Sequence, residues 1–514
     1  MIKTFNAPLV SSLKSLLPGV LLPDKLMKSK VSGVCLDSRQ VKPGDLFFAI
    51  PGAYQDGRDY IQSSLKAGAE IVLCHADSCY FKKHERVISI PDLNKKISKI
   101  SGQFYSNPSH KIALIGVTGT NGKTTCTQLL SQLFSLVGDR AGVIGTLGYG
   151  CVESGKSELK GKGMTTPDPI TIQSVLANFA ECNVKRAVIE VSSHSLSQFR
   201  VHGLLFDTAV FTNLSHDHLD YHGDISSYSA AKKQLFFMPG LKNAVINEDD
   251  PVGLEIAQEL PSSTTSFTFS LVNPAASIYA QNVKLTGAGV TADISTPWGN
   301  GMLKSPLIGR FNLLNLLAVV GAACCQGLTL QKVLKLIPHL GPISGRMEVI
   351  YDPVCATNKE IYGPMVVVDF AHTPDALKNA LEALKYNCNG KLWCVFGCGG
   401  DRDKAKRSKM GKIADQLADK IVVTNDNPRG DDPQAIIDEI LSGICLELRD
   451  KKSVHIIPDR RKAIQFSIKS AAQEDVVLIA GKGHELHQII GSKVQSFSDQ
   501  TEAWLALPRR GRLA

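Results

Sequence analysis

"KIALIGVTGTNGKTT", Lys111 to Thr125, reads as an apolar strand that runs into a glycine-rich turn and then a helix. Glycines let backbone N–H groups close around phosphate oxygens, and a helix N-terminus adds a favourable dipole. Lys123 offers a point charge and Thr124 a hydroxyl for Mg²⁺. The spacing is not that of the common phosphate loop, which needs a glycine five positions before Gly122; this chain has Val117 there and Gly116 one further back. A ligand-free turn is the competing reading, and the strand before and helix after weigh against it. Nucleotide binding and an α/β architecture are the expectation.

Outward from this stretch, apolar runs at "RAVIEVS", "TAVFTNL" and "NAVINED" alternate with helical segments, the pattern of a parallel sheet. Between Ser266 and Ile308 consecutive short strands predict a β insertion or edge, and helices are expected over Phe311 to Gln326 and Thr329 to His339. Upstream, "SGVCLDSR", "GDLFFAI" and "AEIVLCH" are strands of a small α/β unit that ends at "YSNPSHK". Downstream of "GPISGRMEV" the alternation resumes with "MVVVDF", "KLWCVFG", "KIVVTN", "VHIIP" and "VVLIAGKG", which predicts a doubly wound sheet. The expected division is a small N-terminal α/β domain over 1–108, a central phosphate-loop-like ATPase domain with a mostly parallel sheet over 109–341, and a C-terminal Rossmann-like domain over 342–514.

Composition agrees. A chain of 514 residues, 43% hydrophobic and 20% charged, suits a globular protein of about three domains. Its 13 cysteines are scattered, which fits reduced thiols and a cytoplasmic protein better than a disulfide framework. Lys14 and Pro18 interrupt the apolar N-terminal stretch, so no signal peptide is expected. "LLNLLAVVGAACC", Leu313 to Cys325, is too short to span a membrane and reads as a buried helix. The net charge of +9 has no basic block beyond Arg509, Arg510 and Arg512 and fits small anionic substrates as well as nucleic acid.

Two further stretches bear on chemistry. "VIEVSSH" ends a strand at Glu190, and "NLSHDHLDYHG" sets His216, Asp217, His218, Asp220 and His222 after another. Carboxylate and imidazole at the carboxyl ends of parallel strands lie where open α/β sheets bind ligands. There they could share a Mg²⁺ with phosphate oxygens, although surface His and Asp are more often simply solvated.

The ordered set "GTNGKTT", "EVSSH", "NLSHDHLDYH", "SYSAAKKQLF", "GRFNLLN", "GRME", "VVVDFAHTPDAL", "FGCGGDRDKAKR" and "AGKGHE" resembles the Mur ligases of peptidoglycan synthesis, from about Val34 to Glu485. More closely, it is similar to the branch that adds diaminopimelate. The resemblance implies ATP-dependent addition of meso-2,6-diaminopimelate to the D-glutamate of UDP-N-acetylmuramoyl-L-alanyl-D-glutamate through an acyl phosphate, by a monomer with no nucleic-acid partner. It implies that Gly119, Thr120, Asn121, Gly122, Lys123, Thr124 and Thr125 hold the phosphates, and that Thr124, Glu190 and His218 serve Mg²⁺. Lys232 matches a lysine carrying a CO2-derived carbamate; Lys233 is adjacent, and two lysines on a solvated helix face are the plain alternative. Asn315, Arg346 and Asp369, with His372 nearby, match contacts to the nucleotide's base and ribose. ATP would then lie between two domains whose closure accompanies turnover.

For the nucleotide-sugar substrate the resemblance implies Leu36, Ser38, Thr165, Thr166, Ser192, Gln198 and Arg200. Asp56 and Gly57 align downstream, whereas Ala53, Tyr54 and Gln55 depart from the pattern. For diaminopimelate it implies Arg402, Gly481, Glu485 and the loop Asp426, Asn427, Pro428 and Arg429. An arginine fork suits the distal carboxylate that distinguishes diaminopimelate from lysine. The alternatives are an L-lysine-adding ligase or a folylpolyglutamate synthase, or a nucleotide-binding regulator that has lost ligation.

Overall fold

The computed structural model describes residues 10–507 apart from 21, 53–54, 77–83, 154–155, 158, 162, 351–362, 387 and 446–453. Ala53, Tyr54 and the arginines of the tail lie outside the described residues.

Strands β1 (Gly33–Cys35), β2 (Asp45–Ala49), β3 (Ile71–His75) and β4 (Val87–Ile90) pair in parallel in that order. Side chains alternate across a strand, and here both faces are covered. Leu46, Phe48 and Leu73 join the core under helix α1 (Leu93–Phe104), and Phe47, Ala49 and Val72 the core under the helix Ile61–Lys66. This unit docks on the centre of the molecule where Gln173 Nε2 donates to the Ser98 carbonyl at 3.0 Å and Ile170 packs into its core.

The central sheet has eleven strands. They are β5 (Ala113–Thr118), β6 (Ala141–Gly145), β7 (Gly148–Glu153), β8 (Lys156–Ser157), β9 (Arg186–Glu190), β10 (Thr208–Phe211), β11 (Asn243–Asn247), β12 (Thr265–Ser270), β13 (Ile278–Thr286), β14 (Gly289–Thr296) and β15 (Gly299–Ser305). Their order is 8-7-6-9-5-10-11-12-13-14-15, and the run from β6 to β13 is parallel. Ile115 and Val117 face helices α2 (Lys123–Leu136) and α5 (Arg310–Cys325), while Leu114 faces the opposite layer with α3 (Pro169–Glu181). Helix α4 (Ile225–Lys233) follows β10. The short strands expected after Ser266 extend this same sheet as its antiparallel edge rather than forming a separate insertion. The segment Leu313 to Cys325 is helical and buried almost throughout because α5 lies between the sheet and α2.

The C-terminal sheet comprises β16 (Glu348–Ile350), β17 (Met365–Asp369), β18 (Leu392–Phe396), β19 (Lys420–Val423), β20 (Val454–Ile456) and β21 (Val476–Ala480), in the order 16-17-21-18-19-20. Val367, Phe396 and Leu478 pack under α6 (Pro374–Lys385), α7 (Ala405–Leu417) and α8 (Pro433–Leu441). Val368, Val395 and Ile479 pack under α9 (Arg460–Ser470) and α10 (Asp499–Ala506), so this sheet is doubly wound. Among the described residues no helix is long and apolar enough to cross a membrane, and the described cysteines are free thiols.

Candidate active site

The carboxyl ends of β5, β9 and β10 face those of β17, β18, β19 and β21 across one cleft of about 1250 Å³. At its floor lies the turn between β5 and α2. Gly119 has φ +148°, and a Cβ there would fall 1.9 Å from Thr212 Oγ1; Gly122 has φ +86°, and a Cβ would fall 2.4 Å from Asn315 Oδ1. Only glycine fits both positions. The Thr120 amide donates to the Asn213 carbonyl at 2.8 Å and the Asn121 amide to Asn213 Oδ1 at 2.9 Å, which pins the turn to the segment after β10. Lys123 Nζ folds back to donate to the Gly119 and Thr120 carbonyls, both at 2.8 Å. Burial pushes its amine below the ordinary lysine value. Thr125 is buried in the first turn of α2 and lines the cleft.

Beside this turn Glu190 is fully buried. Its Oε2 accepts from the hydroxyls of Thr124 and Thr146, both at 2.9 Å, and Oε1 from the Thr146 amide at 2.9 Å. Arg346 reaches across from the C-terminal unit: its Nη2 donates to Thr124 Oγ1 at 3.3 Å while the guanidinium lies 4.4 Å from the Phe370 ring. Asp369 Oδ2 accepts from the Met347 amide at 2.7 Å, and burial pushes its carboxyl up. His218 has φ +55°, and burial pushes its imidazole down to about 3. Asp217 Oδ2 lies 3.4 Å from His218 Nε2 and 3.9 Å from His372 Nε2. His216 is exposed and absent from the cleft wall, whereas Asp220 lines it. Among the described residues no three His, Cys, Asp or Glu side chains converge as a metal cage. Glu190 and the Thr124 hydroxyl nevertheless form an oxygen-donor pair of the kind Mg²⁺ takes when phosphates and water supply the remaining ligands.

Lys232 is 1% exposed. Its Nζ donates to the Gly119 carbonyl at 2.7 Å and sits 4.5 Å from the Tyr228 ring. Burial, reinforced by the Lys123 charge, holds its amine well below the ordinary value. Lys233 instead pairs with Glu255 and Glu259, both at 2.9 Å. The solvated-face alternative is therefore corrected for Lys232.

Across the cleft, Asp426, Asn427 and Pro428 are buried at the end of β19. Asn427 Nδ2 donates to Glu485 Oε2 at 2.8 Å, and Asn427 Oδ1 accepts from Lys482 Nζ at 3.0 Å and the Ile489 amide at 3.0 Å. Gly481 has φ +116°, with room for a Cβ denied by Asp426 Oδ2 at 2.7 Å. Arg429, at φ +50°, donates from Nη1 to the Gly400 carbonyl at 2.9 Å. Arg402 Cγ and Arg429 Nη1 both come within 4 Å of the Cβ position of Gly399, so the two arginines flank one spot on the wall.

A second cluster lies beside the cleft. Thr166 Oγ1 donates to the Glu190 carbonyl at 2.7 Å and accepts from the Ser192 amide at 3.1 Å, and Thr146 Oγ1, whose hydrogen goes to Glu190, lies 3.2 Å from Thr165 Oγ1 and accepts from it. Arg200 donates to the Thr166 carbonyl at 2.7 Å and to Gln198 Oε1 at 2.6 Å. Leu36 and Ser38, with the Asp37-capped turn Ser38–Gln40, sit on the N-terminal unit and do not line the cleft.

Residues 117–323 match the family model described as "Mur ligase middle domain", residues 345–483 "Mur ligase, glutamate ligase domain", and residues 30–105 "Mur ligase family, catalytic domain". The UDP-N-acetylmuramoyl-L-alanyl-D-glutamate--2,6-diaminopimelate ligase of Pseudomonas aeruginosa is 47% identical over 92% of this chain and 94% of its own length.

The chain belongs to the Mur ligase family.

A solved structure titled as a UDP-N-acetylmuramoyl-L-alanyl-D-glutamate--2,6-diaminopimelate ligase superposes with a TM-score of 0.70 at 35% identity, covering 97% of this chain and 98% of that one. A folylpolyglutamate synthase from Mycobacterium tuberculosis shares the fold at 18% identity and a TM-score of 0.58, covering 75% of this chain and 92% of that one. Mur ligases are ATP-dependent and use Mg²⁺, in line with the reading of the phosphate turn.

Several residues of this Mur ligase site escaped the sequence. Thr146 stands in no motif, yet it contacts Glu190; Tyr221 lies inside "NLSHDHLDYHG" among the His and Asp residues that drew attention, and its hydroxyl accepts from Gln198 Nε2 at 3.2 Å. Lys482 and Arg407 lie within "AGKGHE" and "DRDKAKR", where their neighbours drew attention instead. Arg407 is 1% exposed and pairs with Asp431 at 2.6 Å and Glu439 at 3.0 Å, which ties α7 to the segment after Arg429.

Proposed function

We propose that this Mur ligase joins meso-2,6-diaminopimelate to the D-glutamate of UDP-N-acetylmuramoyl-L-alanyl-D-glutamate, with ATP, as a monomer in the cytoplasm, in peptidoglycan precursor synthesis. One observation carries the reading: a single cleft has the phosphate turn on one wall and an arginine–carboxylate pocket, Arg402, Arg429, Asp426 and Glu485, on the other. The name of the 47% identical relative supports it.

In this reading the substrate carboxylate attacks the γ-phosphorus of ATP, ADP leaves and an acyl phosphate forms, and the neutral diaminopimelate amine attacks its carbonyl to give a tetrahedral intermediate that loses a proton to solvent and expels phosphate. The protein's share is positioning and charge neutralisation. The turn Gly119 to Thr125 cradles the phosphates, with the amides of Gly122 to Thr125 as donors because those of Thr120 and Asn121 are engaged by Asn213, and Lys123 exchanges its two carbonyl partners for phosphate oxygens. Thr124, Glu190 and His218 would hold Mg²⁺, which supplies Lewis-acid stabilisation of the transferring phosphoryl group. Asn315, Arg346 and Asp369 hold the nucleotide's base and ribose. Thr165, Thr166, Ser192, Gln198 and Arg200, with Leu36 and Ser38 on the N-terminal unit, hold the nucleotide sugar.

Lys232 is the carbamylated residue in this account. Its depressed basicity supports it, because only a neutral amine adds to CO2, releasing a proton and leaving an anionic oxygen for a metal. Arg429 pairs with the distal carboxylate of diaminopimelate, and Asp426 and Glu485 face its distal ammonium.

The test is ATP-dependent phosphate release with meso-diaminopimelate or L-lysine in the presence of the UDP-muramoyl dipeptide. Strong preference for diaminopimelate is expected; preference for lysine would sink the assignment.

A further inference from the structure

Lys482 follows Gly481 at the carboxyl end of β21, and its side chain is fully buried. Its ammonium donates to Glu485 Oε2 at 2.8 Å and to Asn427 Oδ1 at 3.0 Å, and lies 3.6 Å from Asp426 Oδ1. Both carboxylates of the amino-acid pocket therefore share one internal cation before any substrate arrives. On the segments after β18, β19 and β21 the cleft lining carries Arg402, Lys406 and Arg429 as cations and Asp403, Asp426 and Glu485 as anions. Behind the wall Arg460 is engaged by Asp499 at 2.7 Å, and Arg407 by Asp431 and Glu439. Lys482 tips an otherwise balanced set to positive.

We infer that Lys482 is a specificity-determining residue, which excludes amino acids whose far end carries a net positive charge. This rests on the reading of the pocket as the diaminopimelate site. The far end of diaminopimelate bears an ammonium and a carboxylate and is neutral overall, whereas that of lysine bears the ammonium alone. Without Lys482, Asp426 and Glu485 would form an anionic trap that accepts either amino acid. With Lys482 in place, an incoming ammonium meets carboxylates already partly neutralised. It is well accommodated only when it brings its own carboxylate for Arg429. Discrimination then has a repulsive part supplied by Lys482 and an attractive part supplied by Arg429.

The experiment measures kcat/KM for meso-diaminopimelate and L-lysine, with ATP and the UDP-muramoyl dipeptide, in the wild type, Lys482→Met, Lys482→Arg and Arg429→Ala. Lys482→Met should shift the diaminopimelate-to-lysine ratio toward lysine by roughly tenfold or more, about 1.4 kcal/mol. Lys482→Arg, which keeps the charge, should hold the wild-type ratio even if overall activity falls. Equal losses on both substrates in Lys482→Met would overturn the inference. An independent arm needs no variant: L-norleucine, the uncharged isostere, should inhibit the wild type at lower concentration than L-lysine, and the reverse order would also overturn it. If Arg429→Ala leaves the ratio unchanged, the diaminopimelate reading itself fails. If Arg429→Ala moves the ratio and Lys482→Met does not, only the role of Lys482 fails.

Discussion

Lys232 Nζ donates to the carbonyl oxygen of Gly119 across 2.7 Å, which brings the last turn of α4 against the first residue of the phosphate turn. Burial holds the amine below its ordinary basicity, which favours the neutral form that the proposed carbamate requires. Lys232→Ala should abolish ligation, and high bicarbonate should not restore it, while ATP still binds. Normal turnover of the variant in a phosphate-release assay would remove the carbamate from the mechanism.

Arg429→Ala should raise the KM for diaminopimelate far more than that for ATP. Leaving the distal carboxylate without its partner costs about 2–5 kcal/mol, or roughly thirtyfold to several thousandfold at 1.4 kcal/mol per decade. Steady-state kinetics with each substrate varied in turn checks this; matched increases would give the arginine another task.

Gly122→Ala should cripple nucleotide binding without a change in net charge. The new methyl would sit 2.4 Å from Asn315 Oδ1 at a φ of +86°. The backbone conformation alone costs on the order of 1–3 kcal/mol for a residue with a Cβ. Calorimetric titration with ATP reports the loss, and unaltered affinity would show that the turn can move aside.

Stability should carry a pH signature from His455, which is remote from the cleft. Its ring packs 4.7 Å from Phe466, and burial, with the Lys420 charge, holds the imidazole below its ordinary value in the folded chain. The unfolded chain therefore binds the proton more readily. The contribution of His455 is fully present above its unfolded value of about 6.5 and is lost as pH falls toward the lower folded value. The drop in melting temperature between about pH 7.5 and pH 5.5 should be smaller in His455→Gln than in the wild type.

What could be read from the residues alone follows the range of the interactions. The phosphate turn is local: a strand, glycines and a helix adjacent in the chain, so its place was legible. Alternating apolar runs likewise announced the C-terminal sheet, because strand and crossover are short-range patterns. Whether the strands after Ser266 form an insertion or the edge of the central sheet was left open by the residues, since edge pairing depends on register between distant segments. The choice of Lys232 over Lys233 came from motif order, and only packing shows why: one faces Gly119, the other Glu255 and Glu259. Lys482 could not be recognised from its position, because its partners Asn427 and Asp426 lie more than fifty residues away.

The Thr124 hydroxyl gives its one hydrogen to Glu190 and receives one from Arg346 of the opposite unit. Any ligand that takes the lone pair now facing Arg346 must release the guanidinium. Seating a ligand on this oxygen and freeing Arg346 for the nucleotide then become one chemical event, so the hydroxyl hands the arginine of one unit to the ligand held by the other.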